Sequence, residues 1–325
     1  MRHLIFYEVQ TAAICPYRLL FFDKFFDPLS ETDPFVYSNI YLFTRVKKNR
    51  FDLGKTRLIN KRTLKTTIIL GGKEYYDLTI SFFDTIPMFK MLFKTRENFE
   101  DLLSDDDDYW KCEIDSENSS SDKIHFFLHA KTGNAIDFWL IPENIEMAIN
   151  IENQLGFKNK PEVVYVGQSF QMSKRIKSHK TLHKAVSQLK DGEEIRLYFL
   201  TFKYGYGGHK DYFQMEGQVM DTWLSEFGMS KEFKSKISLV ERFLIHFLKP
   251  IYNEQHVNSN IMNDSLVKTI LTDNNIDVIT LDFGVWGKSF EFWSPNQQLK
   301  TDCASFNFLK PDLGYQEGFV ANEIE

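Results

Sequence analysis

Val163-Val164-Tyr165-Val166-Gly167-Gln168-Ser169 is the stretch on which the reading of this chain turns. A short β-branched run stopped by glycine reads as a buried strand that ends in a turn. Beyond the turn, Gln171 to Lys190 holds six cations (Lys174, Arg175, Lys177, Lys180, Lys184, Lys190), two histidines and no acid. Ser173 to His179 has helical character, and Thr181 is a fresh N-cap candidate for a second piece running through Leu189. Arg175 and His179 are four apart and share one helical face. A cationic face just past a strand and a turn suits a phosphate. Taken alone, the same run also describes a solvated basic helix.

Two further pieces lie downstream. Ile237 to Leu248 reads as a helix that is apolar on nearly every side and is stopped by Pro250. Glu241 sits in the stripe shared by Ile237, Leu244 and Ile245. A carboxylate there is costly unless it is paired or holds a metal. Pairing with Arg242 or a lysine is the plainer of those two readings. Pro250-Ile251-Tyr252-Asn253 then reads as a helix stop and a turn.

Taken together, these residues resemble the GIY-YIG nuclease superfamily over about 120 residues, from roughly 135 to 255. Tyr165-Val166-Gly167 stands where that family has its second motif. Arg175 follows ten residues after the tyrosine and His179 four after the arginine. Glu241 on an apolar helix, Pro250 and Asn253 complete the order. The first motif departs: no Gly-Ile-Tyr precedes Tyr165. The upstream strand taken as equivalent is Asp137-Phe138-Trp139-Leu140-Ile141, with Trp139 in the tyrosine's place and a gap to Tyr165 longer than the family's short hairpin because a helical segment over 142–155 intervenes. Tyr204 and Tyr206 are candidates to replace it, and both also read as ordinary turn aromatics.

The resemblance implies an α+β fold: a small three-stranded sheet flanked by helices. It implies a metal-dependent endonuclease that hydrolyses phosphodiester bonds in DNA, with Mg2+ or Mn2+ held by Glu241 and water. Tyr165 would orient or deprotonate the nucleophilic water, with His179 as its proton acceptor or as a second phosphate contact. Arg175 would clamp the phosphate and Asn253 would hold the geometry. Lys174, Lys177, Lys180 and Lys184 are the candidate nucleic-acid contacts. The alternative is an inactive nuclease-like domain that binds nucleic acid or a protein partner. Extra domains around such a module suit a stand-alone enzyme of defence, restriction or a mobile element.

Working outward, 325 residues and 43% hydrophobic composition describe a globular chain of about two domains, up to three small ones. The three cysteines match neither a zinc spacing nor a disulfide framework. No apolar run reaches membrane-span length, and Leu4 to Tyr7 is too short for a signal sequence, so a cytoplasmic protein with no membrane partner is expected. The expected division is a β-rich accessory domain over 1–130, the nuclease-like domain over 131–255 and a mixed extension with strands over 256–325. One site per chain would suit a homodimer or larger oligomer for double-strand cleavage.

The net charge of −6 argues against nucleic acid only as a sum. From Arg45 to Lys65 there are nine cations and one acid, a run that fits a phosphate track or a solvated hairpin. From Glu97 to Asp122 there are eleven acids against Lys111, which predicts an exposed loop over 97–122. The charge is an average over patches of opposite sign.

Overall fold

The computed structural model describes residues 3–19, 39–60, 63–72, 74–81, 110–130, 135–143, 145–146, 160–170, 175–176, 178–207, 231–254, 261, 264–282, 292–296 and 305–309. The chain forms two compact units. Unit 1 combines Met1–Val46 with Lys158–Glu325, and unit 2 is Lys47–Phe157, inserted between the two parts. Both are mixed or β-rich, and the whole is α+β.

The sheet of unit 1 has six strands. They are β1 (His3–Pro16), β2 (Ile40–Lys47), β9 (Glu162–Gln168), β10 (Glu193–Gly207), β11 (Val278–Asp282) and β12 (Ser305–Leu309). Their order across the sheet is β12-β11-β1-β10-β2-β9. The three-stranded core expected around Tyr165 is therefore part of a larger sheet. The N-terminal strand β1 pairs antiparallel with β10 and parallel with β11. Residues assigned by sequence to an N-terminal domain and to a C-terminal extension thus share one sheet with the candidate site. The compact units follow Val46 and Phe157, not the expected divisions at 130 and 255.

Three α-helices of unit 1 matter for the site: α1 (Lys180–Ser187), α2 (Lys231–Leu248) and α3 (Ser265–Asp273). α1 begins at His179 as N-cap, two residues before the expected Thr181. It buries Leu182 and Ala185 in a cluster with Tyr41, Phe43, Val164, Ile176, Ile195, Leu197 and Phe199. α2 packs on β9 and β10 through an apolar stripe that includes Ile237, Val240 and Leu244, all at most 1% exposed. Lys249 follows with φ 42°, and Pro250 prevents the helix from continuing. Asp264 caps α3 by accepting from the N–H groups of Leu266 (2.8 Å) and Val267 (3.3 Å).

Unit 2 contains two antiparallel three-stranded sheets. One is β3 (Arg50–Asn60), β4 (Thr63–Leu70) and β5 (Glu74–Ser81); the other is β6 (Trp110–Ser120), β7 (Lys123–Ala130) and β8 (Ala135–Leu140). They share one core, in which Phe51, Leu64, Ile68 and Ile80 join Cys112, Ile124, Phe126 and Leu140. The acidic stretch expected as a loop over 97–122 is therefore corrected for residues 110–120, which form β6. Its Cys112 and Ile114 face the core at the two-residue period of a strand, while acids occupy the positions between. Residues 97–109 lie outside the described residues. Among the described residues, no helix is long and apolar enough to cross a membrane.

Candidate active site

β9 is the edge strand of the six-stranded sheet, and its open side is closed group by group. Val163 N–H donates to the Trp293 carbonyl (2.7 Å), and Val164 carbonyl accepts from Tyr252 N–H (3.0 Å). The Asn253 amide clamps Val166: its Oδ1 accepts from the backbone N–H at 2.9 Å and its Nδ2 donates to the carbonyl at 2.8 Å. Gln168 N–H donates to the Glu241 carboxylate. The Gln168 side chain accepts from the Ser238 hydroxyl (2.8 Å) and donates to the Lys234 carbonyl (3.4 Å), both on α2. Asn253 thus shapes the site by fixing the strand that bears Tyr165.

On its other side β9 pairs antiparallel with β2, with Tyr41 opposite Gly167 and Phe43 opposite Tyr165. This corrects the alignment of the first strand. Trp139 lies on β8 in unit 2, stacked on His125 at 3.9 Å, and the strand beside Tyr165 begins Asn39-Ile40-Tyr41. All of unit 2 separates the two strands in sequence, so the nearest upstream strand is the wrong one. Tyr204 and Tyr206 do not fill the gap either. Both lie on β10, opposite Phe6 and Leu4 of β1, and the Tyr204 ring sits beneath Lys236 Nζ at 4.3 Å. Tyr41 is the residue that sequence reasoning missed, and the β-rich run from Ile40 to Phe43 was its available signal.

Tyr41 is fully buried, and its hydroxyl lies 3.0 Å from His179 Nε2. The hydroxyls of Tyr41 and Tyr165 are within hydrogen-bonding reach of each other and of the Arg175 guanidinium. Burial raises both phenols above their ordinary range. Arg175 itself is exposed, carried by a helical turn that Ile176 anchors in the core at 1% exposure.

His179 differs from its expected role. It bonds the Tyr41 hydroxyl, while Tyr165 packs edge-on against its ring at 4.9 Å between centroids. Burial, with Arg175 and His183 nearby, brings its imidazole down to about 4. A ring that is 5% exposed and uncharged at neutral pH does not serve as a cationic phosphate contact. Its Nδ1 is buried without a hydrogen-bond partner.

Glu241 is half-buried on α2. Burial raises its carboxyl above the usual range, opposed by the Gln168 N–H and by the charges of Arg242 and Arg175. Its charge also bears on Tyr165. The neighbouring Arg242 is engaged elsewhere, in an ion pair with the α3 cap Asp264. Among the described residues no ion pair satisfies Glu241, and Arg242 is not its partner.

Tyr165, Arg175, His179, Glu241 and Asn253 therefore gather around one end of the β2–β9 pair, together with Tyr41. On α1, Lys180 and Lys184 are exposed, and Lys184 Nζ lies 5.6 Å over the Tyr252 ring. Lys174 and Lys177 lie outside the described residues. Comparison of the chain with protein-family models, with curated proteins and with solved structures finds no match.

Proposed function

We propose that unit 1 is a metal-dependent endonuclease of the GIY-YIG type, hydrolysing phosphodiester bonds in DNA. The observation that carries this is the grouping of Tyr41, Tyr165 and Arg175, with His179 behind Tyr41 and the half-buried Glu241 alongside. In that reading Asn39-Ile40-Tyr41 takes the place of the family's first motif, with asparagine for its glycine.

The donor set fits a hard divalent ion held mainly by water. Glu241 is a partly desolvated carboxylate without an ion-pair partner among the described residues. No group of three or more His, Cys, Asp or Glu gathers there among those residues. Mg2+ or Mn2+ fits one carboxylate and its own waters, and when bound it would supply Lewis-acid stabilisation of the leaving oxygen. Glu241 would hold that ion, with its carboxylate oriented by the Gln168 N–H.

The remaining steps belong to the chain's own groups. His179 is neutral, so its Nε2 accepts a hydrogen bond from the Tyr41 hydroxyl and fixes it in place. The raised phenol and the lowered imidazole keep that proton on Tyr41, so the pair's part is to orient the nucleophilic water by hydrogen bonding. Arg175 is exposed, permanently charged and planar, suited to hold the phosphate and oppose the charge it gains. Tyr165, within reach of Arg175, helps fix both.

The test is cleavage of plasmid, single-stranded DNA and RNA by the full chain with Mg2+ or Mn2+. Cleavage of DNA by the wild type and its loss in Glu241→Ala is the expected result. Equal cleavage by the variant would remove the site assignment. A wild-type chain that binds DNA without cutting it would leave the binding-protein reading.

A further inference from the structure

We propose that the β3–β4 hairpin of unit 2 is a duplex-DNA-binding ribbon. This rests on the reading of the chain as a DNA endonuclease and names the element that holds its substrate. Over residues 54–60 and 63–66 the hairpin carries Lys55, Arg57 and Lys65 and no acid. Leu58 and Leu64 are register partners on its inner face, Leu64 fully buried and Leu58 packed against the unit 2 core. That burial fixes which face is left outward. Arg57 and Lys65 are also direct cross-strand partners, and both are exposed. Neither makes an ion pair among the described residues.

Like charges placed directly opposite each other on a sheet destabilise it. A polyanion laid along the pair would remove that cost. The neighbouring position on β5, opposite Lys65, is the exposed Thr79, a neutral donor and acceptor. Lys55 extends the cationic face, with its side chain 60% exposed and Asp52 as a distant partner at 4.0 Å. Leu53 and Ile59 stand exposed on the same strand, at 41% and 53%. A sheet face that offers cations to phosphates with apolar side chains among them suits a duplex, whose major groove presents thymine methyl groups for apolar contact. A ribbon whose charges only discourage edge-to-edge strand pairing has no need to place two of them opposite each other.

The test uses the full chain in a chelator, so that binding is read without cleavage. Affinity for a short labelled DNA duplex is measured by fluorescence anisotropy across roughly 50 to 200 mM salt. The combined variant Lys55→Gln, Arg57→Gln, Lys65→Gln is compared with a charge-keeping control, Lys55→Arg, Arg57→Lys, Lys65→Arg. The expected result is a salt slope shallower by about two to three in the glutamine variant and near wild type in the control. The substituted side chains are exposed, so the charge-keeping control should keep the wild-type unfolding midpoint and the glutamine variant, freed of the Arg57–Lys65 repulsion, should unfold at or slightly above it. An unchanged slope in the glutamine variant would overturn the proposal, as would equal affinity for single strands. Self-association with unchanged DNA binding would also overturn it, since it would assign the charges to edge protection. Duplex binding through the ribbon by a chain that cleaves nothing would sink the nuclease reading and leave this one standing.

Discussion

Gly167→Ala should damage both stability and activity, because the space beside Gly167 is already filled. A Cβ there would lie 2.4 Å from Cζ and from the hydroxyl oxygen of Tyr41, and 2.8 Å from Cε1 of Tyr165. Carbon atoms in contact settle at about 3.5–4.0 Å, so the Tyr41 ring would have to withdraw by about 1 Å. It has little room to do so. The ring is fully buried, its centroid lies 5.3 Å from that of Phe43 and 5.8 Å from His179, and its hydroxyl is held 3.0 Å from Nε2. Overpacking of this kind costs about 1–3 kcal/mol. A shift of about 1 Å at the Tyr41 hydroxyl should also lower the cleavage rate by about 100-fold. Urea midpoints and single-turnover cleavage read the two effects separately. Tyr41→Ala supplies the control: with that ring gone, adding Gly167→Ala should cost clearly less, only what the remaining 2.8 Å approach to Tyr165 demands, so the double-mutant cycle should show coupling. Additive effects, or a Gly167→Ala chain as stable and active as wild type, would mean that Tyr41 does not lie over Gly167. The β2–β9 register on which the site rests would then be wrong.

Three further outcomes follow from the same geometry. Tyr41→Phe keeps the ring but removes the hydroxyl between His179 and Arg175; it should reduce cleavage by about 100-fold and, by leaving the buried His179 Nε2 without its partner, cost about 1–3 kcal/mol in urea unfolding. Unimpaired cleavage would remove the Tyr41 hydroxyl from the site. Asn253→Ala leaves the N–H and carbonyl of Val166 without their partners, and should cost about 1–3 kcal/mol in urea unfolding, equally with and without metal or DNA. A loss seen only in cleavage would make Asn253 a reacting group and not a clamp. His179 is neutral in the fold down to about 4, while in the unfolded chain it takes up its proton from 6.5. Its contribution is therefore complete above pH 6.5 and lost as pH falls toward 4, about 3 kcal/mol in all. Urea midpoints at a series of pH values should show that slope in wild type and a flatter one in His179→Gln; parallel slopes would refute the buried neutral ring.

Much of the site was legible because its chemistry is ordered along a short span. Tyr165, Arg175, His179, Glu241 and Asn253 fall in a sequence whose spacing is set by one strand, one turn and two helices. Tyr41 was hidden because strand propensity says that Ile40 to Phe43 is extended but not which strand it joins. The same limit applies to β1 and β11, whose parallel pairing joins the two ends of the chain. In β6 a different signal failed: Cys112 and Ile114 alternate correctly, but the acids between them make the segment look like a loop when charge is weighed above period. Where Arg242 goes was not legible from sequence, because its partner Asp264 caps a separate helix.

The insertion of unit 2 between β2 and β9 raises the question of what keeps the two strands in register, since a tight turn does not. The structure answers with contacts that lie outside the insert. Near the neck, Arg45 holds its register partner Glu162 through two bonds, at 3.0 and 2.6 Å. At the opposite end, the Asn39 side chain donates to the Phe202 carbonyl (2.8 Å) and accepts from its N–H (3.0 Å), locking the start of β2 to β10. Asn253 does the same for Val166 on the far side of β9, and Gly167 admits the Tyr41 ring at one register only. A one-residue slip of β2 would turn Tyr41 to the other face and break the Arg45–Glu162 pair, the Asn39 clamp and the fit over Gly167 at once. Loop-closure entropy grows slowly with length, and an insert that folds on its own core adds little to it. The pairing of Tyr41 with Gly167 is therefore specified by side chains within unit 1, which is why a site so dependent on two adjacent tyrosines can tolerate a whole compact unit between them.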